Sequence, residues 1–135
     1  MKLALIALKN YNNVNSFDTC TEISLQQGNP TILYFQIVDL DQSGDDGKYF
    51  RFVPSSNAIM SVVLNNIDTN KIVTKVATMS AASDDKSIWN ISILTTDSFT
   101  KNSIEAFLTT SGTTYKIYFE SEISQQPTGS DRFFC

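Results

Sequence analysis

The residues best suited to bind a ligand lie in one acidic segment, residues 39–47 (DLDQSGDDG). Its alternating oxygen-bearing side chains are those of Asp39, Asp41, Ser43 and Asp45. The first three have the one-three-five spacing of a calcium loop, and Gly44 stands at the sixth position, where such a loop turns sharply. The twelfth position holds Phe50 instead of a bidentate Glu. Two interpretations stay open, a calcium site and a solvated loop whose Asp side chains bond to their own backbone, and the second is favoured.

Catalytic chemistry is not indicated elsewhere in the chain. The sequence contains no histidine, which excludes histidine-based catalytic triads, histidine-ligated zinc or haem sites and the usual general base near neutral pH. The sequence suggests no catalytic residues and no residues that bind an organic cofactor, so we expect a protein that is not an enzyme. Trp89 is the one tryptophan, and the strand pattern around it favours a core position over a sugar-stacking platform.

Charge and termini restrict the partners that the sequence predicts. The formal net charge of −4 and the scattered basic residues disfavour nucleic acid, which requires clustered Lys and Arg. The apolar run in residues 1–8 (MKLALIAL) is too short for a signal peptide or a membrane span, so no membrane association is expected. Cys20 and Cys135 allow either a disulfide across a long loop or two reduced thiols, and the second is favoured without a signal peptide.

The dominant hydrophobic period is two, which predicts β-strands. In residues 31–39 (TILYFQIVD) every second side chain is apolar on one face, and residues 58–64, 71–79 and 87–95 alternate similarly. Residues 104–109 and 115–120 predict a hairpin with Ser111 and Gly112 in its turn. Shorter strands are predicted at residues 3–8, 22–25 and 50–53, with a helix as the alternative for residues 3–8 because Leu and Ala are good helix formers.

These segments predict an all-β fold, an antiparallel Ig-like β-sandwich of about seven or eight strands, with a small barrel as the less favoured alternative. One domain is expected over residues 1–120. Residues 121–135 leave the alternating pattern and predict an extended C-terminal tail. Its aromatic pair, Phe133 and Phe134, is the predicted interaction site, placed in a neighbour's pocket or beside a neighbour's sheet edge.

Four segments carry a family resemblance: residues 28–39 (GNPTILYFQIVD), 51–54 (RFVP), 58–64 (AIMSVVL) and 84–89 (DDKSIW). Together they resemble small virion structural proteins of tailed bacteriophages, which have an Ig-like or baseplate-type sandwich. The resemblance implies a non-catalytic subunit of a tail, baseplate, neck or capsid-decoration layer. It also implies assembly with other virion proteins and copies of itself, in a virion made in the host cytoplasm.

A second hypothesis comes from a different class of function. A β-sandwich module that binds a carbohydrate or a host surface would use the acidic segment, residues 39–47, together with aromatic side chains. The aromatic candidates for such a glycan site are Trp89, Tyr34 and Tyr118.

Overall fold

The computed structural model describes residues 2–8, 19–20, 22–43, 49–79 and 87–126. Within these residues the secondary structure consists of β-strands and one short 3₁₀ helix, Lys101–Ser103, so the all-β prediction is confirmed. The described strands are β1 (Leu3–Leu8), β2 (Thr19–Cys20), β3 (Glu22–Gln26), β4 (Thr31–Ser43), β5 (Tyr49–Arg51), β6 (Ile59–Asn66), β7 (Lys71–Met79), β8 (Ile88–Ile93), β9 (Ile104–Thr110), β10 (Thr113–Phe119) and β11 (Glu122–Gln126).

Seven of the described strands close into a barrel, in the order β1, β10, β9, β6, β7, β8 and β4. The closing contact is antiparallel, between β4 and β1, where Leu5 lies opposite Ile37. On its other edge β1 pairs with β10 in parallel, with Leu5 opposite Phe119. The barrel is therefore mixed, and the predicted antiparallel Ig-like sandwich is wrong.

The sandwich prediction failed for a physical reason. Strands alternate between inward and outward side chains in a sandwich and in a barrel alike, so a period of two does not separate the two architectures. The difference lies in which edges meet. Here β1 joins β4 and β10, two strands that lie far apart in the chain, and this long-range contact leaves no sequence signal in the strands themselves.

Alternate residues of the barrel strands fill its core, as the sequence predicted. In β4, Leu33, Phe35 and Ile37 point inward and are buried. The rings of Phe35 and Phe119 meet edge-on, with their centroids 5.9 Å apart. The same inward alternation buries Met60, Val62 and Leu64 in β6 and Trp89, Ile91 and Ile93 in β8.

The parallel pair β3 and β11 packs against the end of the barrel where β1, β6, β8 and β10 finish. Ile23 and Ile123 lie opposite each other in this pair and belong to the barrel core. The Ser121 hydroxyl accepts a hydrogen bond from the Ala7 amide at 3.0 Å, which links the start of β11 to β1. The first part of the predicted tail thus contains a strand, β11, with Ile123 buried in the core, and residues 127–135 lie outside the described residues.

Two hairpins set the register of the barrel. The β9–β10 turn contains Ser111 (φ 51°) and Gly112 (φ 80°), so the predicted hairpin is confirmed. Positive φ at both central residues matches the right-handed twist of the strands they join. In the β6–β7 turn, the Asn66 side-chain oxygen accepts from the amides of Asp68 (3.1 Å) and Thr69 (3.3 Å). This side-chain cap fixes where β7 begins.

Candidate assembly edge

The two edges of β8 are paired very differently. Toward β4, β8 is paired along its whole length, from Ile88 opposite Gln36 to Ile93 opposite Thr31. Toward β7, the pairing within the described residues is limited to Thr78 opposite Asn90 and Met79 opposite Trp89. Beyond these two pairs, β7 and β8 diverge.

The divergence leaves residues 71–77 of β7 without a partner strand on the β8 side among the described residues. On its other side the same stretch is fully paired with β6, from Asn66 opposite Lys71 to Met60 opposite Ala77. We call residues 71–77 the open edge. Such an edge presents a row of backbone N–H and C=O groups to which another strand can bond.

The outward side chains of the open edge are apolar or small. Ile72 and Val76 are 62% and 70% exposed, and Thr74 between them is exposed as well. Edge strands in monomeric proteins are commonly protected from pairing by charged side chains that point either outward or inward. In β7 the charged residues, Lys71 and Lys75, alternate with the apolar ones and share the opposite face.

Lys75 points toward the interior, because it lies opposite Val62, whose side chain is fully buried. Its ammonium group forms an ion pair with Asp97, with 2.7 Å between Nζ and Oδ2, and only 14% and 5% of the two side chains are exposed. A long lysine side chain packs its methylenes along apolar neighbours while its charge finds a partner. The inward position of Lys75 therefore forces Ile72 and Val76 outward.

Asp97 lies in the segment that follows β8, and its carboxylate organises that segment. Oδ2 also accepts a hydrogen bond from the Leu94 amide at 2.7 Å. Lys71 reaches the same segment, with 3.5 Å between its Nζ and the Thr96 carbonyl. Two lysine side chains of β7 thus connect it to the segment after β8, where backbone pairing between the strands has ended.

The segment after β8 is held from the other side by β11. The Gln125 side chain accepts from the Phe99 amide at 3.0 Å and donates to the Asp97 carbonyl at 3.3 Å. Phe99 is buried in the core. The ion pair is therefore fixed by the end of the barrel and is not a loose surface contact.

Two further apolar side chains are exposed on β6 and in the β6–β7 turn, on the paired side of β7. Ile59 at the start of β6 is 59% exposed, and Ile67 in the turn before β7 is 57% exposed. A group of exposed apolar side chains beside unpaired backbone is typical of surfaces that bind another chain. Together these features identify the open edge as the candidate functional site.

The residues of the predicted calcium loop are only partly described. Asp39 lies in β4 and is buried, and its carboxylate accepts from the Asp41 amide at 3.0 Å and the Gln42 side chain at 3.3 Å. The backbone of Ser43 ends β4, beyond an irregularity in its pairing with β5. Asp45 lies outside the described residues. No cluster of three or more acidic or thiol side chains suited to a metal occurs in the described part, and calcium binding stays a prediction.

The other predicted residues are placed as follows. Phe133, Phe134 and Cys135 lie outside the described residues, so the interaction site of the tail and the disulfide stay predictions. Trp89 is buried in the core, as its strand pattern predicted, and is not available to stack on a sugar. Tyr118 is half-exposed, and the Lys2 ammonium lies 5.3 Å from its ring centroid.

Sequence reasoning did not identify the open edge. The pattern in residues 71–79 (KIVTKVATM) shows the alternation of lysines with Ile72 and Val76, and apolar residues are ordinarily placed inside. The acidic partner, Asp97, lies in a different segment, and only the fold brings it beside Lys75. A buried position for Lys75 was therefore not visible in β7 alone.

Comparison with known proteins adds no relative: no family model, curated protein or solved structure matches the chain. Within the described residues, no helix has the length and the hydrophobicity needed to span a bilayer. The fold and the site thus define an all-β barrel in which, among the described residues, part of β7 has no partner strand on its β8 side.

Proposed function

We propose that this protein is a non-catalytic structural subunit that assembles with neighbouring subunits through the open edge of β7. The observation that carries the proposal is at residues 71–77, where outward Ile72 and Val76 lie beside a strand edge that has no partner strand among the described residues on its β8 side. Strand addition to such an edge supplies main-chain hydrogen bonds for affinity and alternate side chains for specificity.

The assembly that we propose is the virion of a tailed bacteriophage, in its tail, baseplate, neck or capsid-decoration layer. The support for this assignment is the resemblance of residues 28–39, 51–54, 58–64 and 84–89 to virion structural proteins. The partners would be other virion proteins and copies of this chain. The tail residues Phe133 and Phe134 would contribute a second contact with a neighbour.

Electron microscopy of phage particles produced with a tagged version of the protein tests the proposal. We expect density for the barrel at defined positions in the particle, with β7 at a contact between subunits. A matched Val76→Lys variant, which adds a charge at an exposed position of the open edge, should be incorporated less than the unmodified protein. Finding the tagged protein outside every particle fraction would contradict the proposed function.

A further inference from the structure

We infer that Met79 is an oxidation site, and that peroxide converts its thioether to a sulfoxide that reversibly loosens the contact between β7 and β8. Methionine oxidation makes a flexible apolar side chain polar, so its effect depends on where that side chain lies. Met79 is the last residue of β7 and packs against the barrel core. A change in its polarity therefore acts on the end of the barrel wall.

The two methionines in the described part of the chain differ in their access to solvent. Met60 in β6 is fully buried, and it is paired on both sides, with Ala77 in β7 and Leu108 in β9. Met79 is half-buried: it packs on the core and keeps part of its surface exposed. Because oxidation follows exposure, Met79 should react before Met60.

Met79 also lies where the barrel wall has few backbone contacts. Its partner in β8 is Trp89, and Thr78 opposite Asn90 is the one other pair that joins these strands within the described residues. The Asn90 side chain adds a hydrogen bond, donating to the Thr78 carbonyl at 3.1 Å. A change at Met79 thus affects one of the two backbone pairs between β7 and β8.

The residue opposite Met79 is the protein's single tryptophan. Directly opposed residues of antiparallel strands share a face, with their Cβ atoms about 4.5–5.5 Å apart. Trp89 belongs to the core and is only 3% exposed, so Met79 lies on the same inner face. A thioether is a favourable neighbour for an aromatic ring.

The chemical step is a two-electron oxidation by hydrogen peroxide. The Met79 sulfur attacks one peroxide oxygen, so that an S–O bond forms while the O–O bond breaks. The proton of the transferred oxygen passes to the departing hydroxide, which leaves as water. The thioether is thereby oxidised and the peroxide reduced. Methionine sulfoxide reductases reverse the change.

Oxidation changes the packing at the end of β7. The sulfoxide oxygen is a polar acceptor, and burying it without a donor is unfavourable. If the oxidised side chain turns to solvent instead, it leaves a gap beside Trp89. Both outcomes weaken the pair of Met79 with Trp89, while the ion pair of Lys75 with Asp97 still connects β7 to the segment after β8. Oxidation thus loosens this end of the barrel wall without unfolding the protein.

Peroxide treatment of the folded protein tests the inference, with Trp89 as the fluorescent reporter. Peptide mass spectrometry measures the uptake of one oxygen atom at each methionine. We expect Met79 to react about tenfold faster than Met60 or more, because Met60 is reached only when the barrel opens. As Met79 reacts, tryptophan emission should shift to longer wavelength and the thermal midpoint should fall by roughly 4 °C. Circular dichroism should keep its strand signal.

Met79→Leu and Met60→Leu are matched variants, because each replaces one thioether with an apolar side chain of similar volume. Both retain Cys20 and Cys135, so a response caused by cysteine oxidation would occur in each. Met79→Leu should abolish the emission shift, and Met60→Leu should keep it. In the unmodified protein, emission should return to its starting position once the reductases have removed the oxygen.

Three results would overturn the inference: equal oxygen uptake at Met60 and Met79 in the folded protein, an emission shift that persists in Met79→Leu, and oxidation of Met79 that changes neither emission nor thermal midpoint. An emission that stays shifted after mass spectrometry shows the oxygen removed would contradict a reversible change.

Discussion

The two edges of β8 show how one strand can be closed on one side and open on the other. Toward β4, backbone pairing is continuous and apolar side chains such as Phe35 and Trp89 fill the interior beside it. Toward β7, within the described residues, pairing ends after Thr78 and Met79, and the ion pair of Lys75 with Asp97 connects the two sides. The barrel is thus held by main-chain bonds at one edge and by side chains at the other.

This difference has a consequence for assembly. Side chains that bridge from the inner face hold the barrel together without using the backbone groups of β7 on that side. Within the described part of the chain, no strand pairs with those groups in residues 71–77. The sparsely paired β7 edge is therefore the one through which we propose that the barrel joins a second molecule.

The largest expected effect is at the closed edge. Phe35→Ala removes a fully buried ring and should lower the free energy of unfolding by about 3–5 kcal/mol. Phe35→Leu, which keeps much of the apolar volume, should cost markedly less. Chemical denaturation measures both, and equal losses would show that packing beside β4 is not what holds this edge.

The next effect is at the ion pair. Lys75→Met leaves the carboxylate of Asp97 buried without its charge partner and should cost about 3 kcal/mol of stability. In a Lys75→Met, Asp97→Asn double variant the uncompensated charge is gone, so part of the loss should be recovered. A double variant less stable than the single one would contradict the assigned role of the pair.

A smaller effect is expected at Gln125, which fixes the segment after β8. Gln125→Ala leaves the amide of buried Phe99 without its acceptor and should cost about 1–2 kcal/mol. Gln125→Glu retains an acceptor for that amide and loses the donor to the Asp97 carbonyl. Thermal unfolding compares the two variants, and we expect Gln125→Glu to be the more stable.

The smallest effect on stability is expected at the open edge itself. Val76→Ser replaces an exposed side chain and should change the free energy of unfolding by no more than about 0.5 kcal/mol. It should nevertheless weaken association measured by light scattering, because the proposed contact between subunits includes Val76 and the core does not. A large loss of stability with unchanged association would show instead that Val76 supports the fold and takes no part in assembly.

The sequence predicted the strands better than their arrangement. Alternation identified β4, β6 and β8 as strands, and turn residues located the hairpin at Ser111 and Gly112. The closure of the barrel depends on β1 meeting β10 in parallel, a contact between chain segments that no local pattern encodes.

The candidate site was harder to predict for a related reason. Ile72 and Val76 have the residue types of a core face, yet they face outward, while Lys75 faces inward and pairs with Asp97, which lies outside β7. Sequence alternation gives two faces of a strand, but the register with neighbouring strands places one of them inside. The residues predicted for interaction, Phe133 and Phe134, lie outside the described part of the chain.

Hydrogen exchange followed by mass spectrometry at increasing protein concentration tests the central claim most directly. Peptides from residues 71–77 and 31–36 report the open edge and the closed edge in one experiment. We predict that amide protection in residues 71–77 rises with concentration while protection in residues 31–36 stays constant. Association of the protein, seen as an increase in mass, without any change in residues 71–77 would contradict the claim that the open edge of β7 is where this protein assembles.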